Sequence, residues 1–565
     1  DGEVVPFEFA GIQSGNKTLG HRFLSSGAIE ARHFEDYEKK LRDAHVIVDA
    51  AERKEIIIHD VRNKAFALGL ELIDDEGLLE EVAGLAEWPV VLIGTIEDQF
   101  MDVPGEILQT SMRTHQKYFA LRDPKTNNLA NRFALVSNMV ASDGGKEIVA
   151  GNERVLRSRL SDAKFFWDQD RNRSREALGA VRKQIVFHAK AGTMHDRAYR
   201  IALVAMILAD LLKWNVDQCE RAGLLAKADL TSGVVGEFPE LQGVMGRYYA
   251  LHDGEDADVA EAVRNHYKPL GPNDAAPTAP VSMAVALADK IDSLATLWRA
   301  GEKPTGSKDP FALRRAALGI IRIVLENKLR LELLTPVFAV LNADKPHKGV
   351  SWEQRIEGAL SDHLLIKGIA DDLLETAKSA RKEEGADRTI ADEILACFAD
   401  RLKVALKEKG IRHDLIDAVF SLGGEDDLVR LVARVEALQA FLKSEDGANL
   451  LAGYKRAANI LRIEEKKDKR AYSGEPDPQL LAQEEEKNLF AAMATANDLI
   501  KAELERERFM EAMTAMARMR APVDAFFDKV TVNDKDSKLR ENRLKLLAQI
   551  VATAHTVADF SKIEG

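Results

Sequence analysis

The spacing of apolar residues changes once along the chain, near residue 150, and this change limits the fold more than any other feature of the sequence. From Gly151 onward apolar residues recur at intervals of three and four, as Leu156, Leu160, Ala163 and Trp167 do, which places them on one side of a helix. Convincing strand signals occur only before this point. The sequence therefore predicts a multidomain, mainly α protein with an α+β region at its amino end.

The early region contains short runs of β-branched and aromatic residues. Two of these runs, KYFAL and NRFALVS, are separated by RDPKTNNLA, whose Asp, Pro and Asn residues break strands and favour turns, so we predict a hairpin there. The predicted strands are Ile56–Ile58, Pro89–Gly94, Tyr118–Leu121 and Phe133–Ser137.

At 565 residues the chain is too long for one hydrophobic core, so several domains of roughly 100–200 residues are expected. Its two cysteines, Cys219 and Cys397, lie far apart in apolar helical contexts, which argues against a disulfide framework and fits a reducing cytoplasm. No apolar run reaches the roughly 18 residues needed to span a bilayer. We expect a cytoplasmic location and no membrane partner. Because the chain begins with Asp, we also expect that amino-terminal sequence is missing.

A net charge of -13 argues against a general nucleic-acid coat protein, because phosphate groups are bound by Lys and Arg side chains. Nucleic-acid binding would have to depend on local basic clusters, and any single cluster can instead be a solvated surface. The most polar stretch, Glu464–Gln479, is predicted to be a long exposed loop.

The middle of the chain carries histidines and aspartates in a spacing that resembles the HD superfamily. In those helical domains a His, an adjacent His-Asp pair and a distant Asp bind a divalent ion and activate water. Here the residue before Asp229 is Ala228, which has no lone pair, so a central ligand is absent and we predict a vestigial site without metal. The positions concerned are His188, Ala228, Asp229, His252, His266 and Asp289.

Six strings, taken in their order and spacing, resemble the β subunit of the bacterial α2β2 glycyl-tRNA synthetase nearly from end to end. They are TLGHRF (Thr18–Phe23), the block Glu87–Leu121, GNERVLRSRLSDAKFFWDQD (Gly151–Asp170), the block Ala226–Ala250, DPFALRRAALGI (Asp309–Ile320) and VDAFFDKVTVND (Val523–Asp534).

The resemblance implies an enzyme subunit of glycine–tRNA ligase whose partner, the α subunit, carries the adenylate-forming site with ATP and Mg²⁺, while this chain binds tRNA-Gly. It implies four regions: residues 1–150 as an α+β module similar to that of the phenylalanyl-tRNA synthetase β chain, 151–330 as a degenerate HD domain, 331–394 as a helical linker, and 395–565 as a helical anticodon-binding domain. The family has a further amino-terminal region, and the resemblance implies that this chain begins after it. No cofactor and no catalytic residue are predicted in this chain, which has no GxxxxGK[ST] phosphate loop and no HIGH-like or KMSKS-like pair.

Candidate RNA contacts fall in three places. The first group lies just before a predicted strand, where residues two positions apart share one face. The second group lies in the predicted helix that carries Leu156 and Trp167. The third group flanks a predicted buried stripe of Leu544, Leu547 and Val551 and should therefore face outward, where it can contact RNA. Each group can also be a plain polar surface. The aromatic residues Trp167, Phe526 and Phe527 are expected to pack in the core. The candidates are Arg113, His115, Lys117, Arg154, Arg157, Arg159, Lys455, Arg456, Arg540, Asn542 and Arg543.

Two other functions stay open at this point. One is an HD-type metal-dependent phosphohydrolase, which the Ala228 substitution opposes. The other is a non-catalytic, free-standing tRNA-binding scaffold without a synthetase partner, which the sequence alone does not separate from a ligase subunit.

Overall fold

The computed structural model describes residues 4–173, 182–345, 352, 354, 363–408 and 410–564. They form two compact units, the first from residues within 1–181 and 228–245, the second from residues within 182–227 and 246–565. Helices predominate, as the change in apolar spacing predicts. Among the described residues, the strands lie before residue 150 except for one short antiparallel pair, Val186–His188 and Gly192–Thr193, which the prediction of a wholly helical chain after that point missed because two or three residues carry no periodic signal. Across the described ranges, no helix combines the length and apolarity needed to cross a membrane.

The strands are short except at the centre of the first unit. They are β1 (Glu8–Phe9), β2 (Ile12–Gln13), β3 (Lys17–Leu19), β4 (Ala28–Glu30), β5 (Glu71–Leu72), β6 (Val90–Thr95), β7 (Phe119–Arg122), β8 (Leu129–Ser137), β9 (Val186–His188) and β10 (Gly192–Thr193).

The helices follow in chain order. They are α1 (Phe34–Asp43), α2 (Ala50–Ala67), α3 (Glu76–Leu85), α4 (Gly105–Ser111), α5 (Lys146–Arg171), α6 (Met194–Leu212), α7 (Val216–Leu225), α8 (Gly233–Glu237), α9 (Val244–His252), α10 (Ala257–Asn265), α11 (Pro280–Ala300), α12 (Leu313–Glu326), α13 (Leu334–Ala343), α14 (His363–Ala380), α15 (Ala386–Glu408), α16 (His413–Phe420), α17 (Leu428–Leu442), α18 (Glu445–Asp468), α19 (Glu484–Glu505), α20 (Phe509–Ala517), α21 (Arg520–Lys529) and α22 (Ser537–His555). Those in the second unit are α6, α7 and all those after α8, except for the first two residues of α9, which belong to the first unit.

An antiparallel sheet in the order β5-β7-β8-β6 forms the centre of the first unit. The predicted hairpin is confirmed, because β7 and β8 pair with Phe119 opposite Ala134. On β6, Gly94 faces the ring of Phe133, and a Cβ there would lie 2.3 Å from the ring carbon Cζ, so only glycine fits.

The predicted strand Ile56–Ile58 is wrong, because these residues lie inside α2. Three consecutive isoleucines satisfy strand propensity, yet Ile57, Val61 and Ala65 recur at intervals of four and are all buried. Burial of this helical stripe in the core of the first unit outweighs the local preference.

Helix α5 confirms the predicted apolar stripe, since Leu156, Leu160, Ala163 and Trp167 are buried. The carboxyl end of α5 also contacts the segment 228–245, which belongs to the first unit although the preceding residues, 182–227, belong to the second. The Asp170 carboxylate accepts hydrogen bonds from the amides of Gly233 (2.8 Å) and Val234 (2.9 Å), the first residues of α8.

One connected hydrophobic core extends through the second unit, from Tyr199 to Ile563. Helices α6 and α11 are buried on nearly every side, as expected for central helices. Both cysteines are free, Cys219 buried and Cys397 partly buried.

The expected exposed loop at Glu464–Gln479 begins later than predicted, because α18 continues to Asp468. The two lysines of its last turn, Lys466 and Lys467, interact favourably with the carboxyl-terminal end of the helix dipole, and Glu464 points inward to an arginine partner.

Candidate functional site

The positions that resemble an HD metal site are not assembled as one. His188 lies on β9, where its Nε2 is 3.5 Å from Glu302 and its ring packs edge-on against Phe311. His252 ends α9 at the exposed surface. In the first unit, the Asp229 carboxylate accepts a hydrogen bond of 2.5 Å from the amide of Gly243.

The second unit brings His266 and Asp289 together through a lysine that sequence inspection passed over. The ammonium of Lys227 lies 2.8 Å from His266 Nε2 and 3.1 Å from an Asp289 carboxylate oxygen. Because the carbonyl of Val263 can only accept, the His266 Nδ1–H donates to it at 2.6 Å, and Nε2 is left to accept from Lys227. Lys227 therefore occupies the lone pairs that a metal ion would need.

Further cations and carboxylates complete a buried network around Asp289. The Arg197 guanidinium donates to Asp289 at 2.8 Å, and Arg200 donates to Asp292, its neighbour one turn along α11, at 2.5 Å. Burial alone would raise the pKa of Asp289, but Lys227 and Arg197 hold that pKa well below its usual range. The sequence contains two signs of this network. Arg197 and Arg200 are three residues apart, and Lys227 and Asp292 lie close to the HD positions Ala228 and Asp289.

This donor set does not fit a divalent cation. A bound metal would have to displace two cations from Asp289, and the ring nitrogen of His266 that faces the network already accepts a hydrogen bond. In the described ranges, no group of three or more His, Cys, Asp or Glu side chains is placed to hold a metal. The network is built as a buried salt-bridge cluster.

The predicted shared face of Arg113, His115 and Lys117 is wrong, because these residues lie in and after a π-helical turn, Met112–Gln116, and not on a strand. A spacing of two on a helix separates side chains around the axis. Arg113 donates to Asp75 at 2.6 Å, and Lys117 lies 2.8 Å from Glu81.

His115 packs its ring near Phe238, with the ring centres 5.8 Å apart. On α5, Arg154, Arg157 and Arg159 are exposed, and Arg157 pairs with Glu97. Arg154 and Arg159 have no ion pair within the described part of the chain.

The carboxy-terminal candidates divide between two helices. On α18, Arg456 is exposed and Lys455 half-buried, as an RNA-facing position requires. On α22 the predicted outward orientation is wrong, since Asn542 and Arg543 are buried and the Arg540 side chain is only 19% exposed. The inner face of α22 follows the series of residues 543, 547, 550 and 554, so Arg543 stands at the start of the buried stripe.

Each of these inward-facing residues on α22 ties the helix to a neighbouring segment. The Asn542 amide exchanges two hydrogen bonds with the backbone of Asp477, at 2.7 and 3.0 Å. Arg543 donates to Glu486 at 2.5 Å and to Asp534 at 2.7 Å. Arg540 binds Glu464 and Asp468 of α18. Phe526 and Phe527 are buried, as predicted.

Two protein-family models match the chain. The family model of the glycyl-tRNA synthetase beta subunit matches residues 1–421, and the model of the DALR anticodon binding domain matches residues 450–563. The chain belongs to the glycyl-tRNA synthetase β-subunit family. It is therefore part of an aminoacyl-tRNA synthetase.

Relatives in this glycyl-tRNA synthetase β-subunit family are similar along nearly the whole chain. A protein of Rhodospirillum centenum named glycine–tRNA ligase beta subunit is 54% identical over 98% of this chain and 73% of its own length. Proteins of the same name from Phenylobacterium zucineum and Dinoroseobacter shibae are each 49% identical over 100% of this chain and 77% of their own lengths.

In this β-subunit family member, the buried His266 makes the unfolding free energy depend on pH. Burial and the nearby Lys227 hold the pKa of His266 well below its usual value of 6.5, so the folded chain keeps the ring neutral while the unfolded chain takes up a proton near that pH. The contribution of this residue is present above pH 6.5 and is lost as the pH falls from there, by up to about 1.4 kcal/mol per pH unit.

We expect urea unfolding measured between neutral and mildly acidic pH to give a shallower pH dependence for His266→Gln than for the unsubstituted chain. Glutamine keeps an acceptor for Lys227 and cannot be protonated. The control His252→Gln removes an exposed histidine and should leave the slope unchanged. Equal slopes for His266→Gln and the unsubstituted chain would show that the ring is protonated in the folded state.

Proposed function

We propose that this chain binds and positions tRNA-Gly for glycylation that is catalysed at a separate α subunit, within an α2β2 heterotetramer. The observation that carries the proposal is the match of residues 450–563 to an anticodon-binding domain in a chain of this synthetase family. In this proposal ATP and Mg²⁺ act at the α subunit, and this chain supplies no catalytic residue.

The buried network around Asp289 argues against the alternative function, metal-dependent phosphate hydrolysis. Hydrolysis of that kind needs an open coordination position on a bound ion, so that a water molecule can be activated. Here Lys227 is 3% exposed and lies against both His266 and Asp289. Two residues of the HD resemblance, His266 and Asp289, are therefore engaged with Lys227 and not free to hold an ion.

The proposed division of the reaction between the α subunit and this chain can be tested directly. If adenylate formation belongs to the α subunit, this chain alone should catalyse no glycine-dependent exchange of pyrophosphate into ATP. Addition of the chain to the α subunit should be required for efficient transfer of glycine to tRNA, because positioning of the acceptor end supplies much of the rate.

The measurement compares the α subunit, this chain and the reconstituted complex in pyrophosphate exchange and in glycylation of tRNA-Gly. The complex with a non-cognate tRNA is the control. Exchange by this chain alone, or full glycylation by the α subunit alone, would contradict the proposal.

A further inference from the structure

Helix α18 has two unlike faces. Its buried side is a regular stripe at intervals of three and four: Gly447, Leu450, Tyr454, Ala457, Leu461 and Glu464. The opposite side, here named the outer strip, consists of Lys455, Arg456, Asn459, Arg462, Ile463 and Lys466.

The outer strip contains four cations and no carboxylate, in a chain whose net charge is -13. In the described parts of the chain none of these four cations makes an ion pair, and the guanidinium of Arg462 donates only to Asn459, at 3.3 Å. Their charge is therefore available to a ligand. From Lys455 to Lys466 the strip extends about 16 Å along the helix axis.

The acidic residues at the end of α18 are turned away from the strip. Arg540 binds both Glu464 and Asp468, and Glu465 accepts a hydrogen bond of 2.9 Å from the amide of Tyr472. Arg540 thus acts inside the protein, where it neutralises carboxylates that would otherwise offset the positive charge of the same helix.

Two side chains of the outer strip are suited to contact the bases and sugars of a nucleic acid. The guanidinium of Arg456 lies over the ring of Phe527, with its central carbon 4.5 Å from the ring centre, which fixes the plane of its donors. Ile463 is 57% exposed beside the cations. An acidic protein surface would use the charges, whereas RNA would also use the oriented guanidinium and the apolar contact.

We propose that the outer strip of α18 is the surface on which this domain holds the phosphate backbone of tRNA. The inference rests on the proposed function and assigns that binding to one helix face. Phosphate contacts position an RNA without distinguishing sequences, so the strip should contribute equally to cognate and non-cognate tRNA.

The test is tRNA affinity as a function of salt, measured by fluorescence anisotropy on the complex of this chain with the α subunit. The triple variant Arg456→Gln/Arg462→Gln/Lys466→Gln removes three strip charges. The matched control Lys443→Gln/Lys501→Gln/Arg518→Gln removes three exposed charges of the same unit outside the strip. Both keep polar side chains and change the net charge equally, and thermal melting checks that both fold.

For the strip variant we expect the slope of log affinity against log salt to fall by about one per cation. Near physiological salt that slope corresponds to roughly a fivefold loss of affinity per cation. Discrimination between anticodons should not change, and the control should match the unsubstituted complex. Arg456→Lys, which keeps the charge without the planar fork, should weaken binding without changing the slope.

The outcomes separate the two proposals. Failure of the unsubstituted complex to bind or glycylate tRNA-Gly would overturn the proposed function. If that complex is active and the strip and control variants lose affinity equally, the assignment of the strip is wrong. It is also wrong if the strip variant keeps its tRNA affinity but no longer assembles with the α subunit, because the strip would then be a subunit contact.

Discussion

Replacement of Arg543 by alanine is expected to destabilise the second unit by about 3–5 kcal/mol. The Arg543 side chain is 2% exposed and its partner Glu486 is 1% exposed, so the substitution leaves a buried carboxylate without its cation. It also leaves Asp534 and the carbonyl of Thr531 without their donor. Unfolding in urea, followed by circular dichroism, measures the loss.

The large effect should come from the unpaired carboxylate and not from the missing side chain. The double variant Arg543→Met/Glu486→Gln removes both charges and should recover much of the stability. Lys545→Ala on the same helix removes a half-exposed cation 3.5 Å from Glu541 and should cost well under about 1 kcal/mol. A loss for Arg543→Ala no greater than that of Lys545→Ala would show that Arg543 faces water.

The second large effect is expected for Asp289→Asn, again about 3–5 kcal/mol. The amide keeps the shape of the side chain but removes the charge that compensates Lys227 and Arg197, both nearly enclosed. Asp292 lies 3.7 Å from Arg197 and offsets only part of the loss. The measurement is the same unfolding experiment at neutral pH.

An exposed aspartate supplies the comparison for this second prediction. Asp210→Asn on α6 removes a carboxylate whose side chain is 54% exposed and 3.6 Å from Lys213, and should change the stability by less than about 1 kcal/mol. The double variant Asp289→Asn/Lys227→Met should be more stable than Asp289→Asn alone, because one uncompensated cation is gone. Equal stability of Asp289→Asn and Asp210→Asn would mean that solvent reaches the network.

Secondary structure was predictable from the sequence where a pattern of apolar or turn residues extends over many positions. The buried stripe of α5 and the β7–β8 hairpin follow from spacing and from turn chemistry, and both are confirmed. A run of three isoleucines was too short to separate strand from helix, and only the wider window around Ile57, Val61 and Ala65 does so. The three domain boundaries at residues 150, 330 and 394 stay a prediction.

The chemistry of the side chains was harder to predict, because it depends on tertiary partners. Periodicity places Arg543 one residue from Leu544 but does not show that Glu486, 57 positions away, faces it in the core. In the same way, the sequence shows at Ala228 that a metal ligand is missing. The role of the adjacent Lys227 could not be predicted, because its partners His266 and Asp289 come together only in the folded unit. A charged residue in a sequence can face water or a buried partner, and only the fold decides.

The first unit is completed by residues 228–245, which the ribosome makes after the chain has already entered the second unit. Asp170 is synthesised 63 residues before its partner Gly233. At the usual rate of translation, about 5–20 residues per second, the carboxyl end of α5 waits roughly 3–13 s for that partner, apart from the time spent in the exit tunnel. During that interval Asp170 and Phe166, which lie against Gly233 in the folded unit, remain without that partner, and a fragment ending near residue 173 would leave them so permanently.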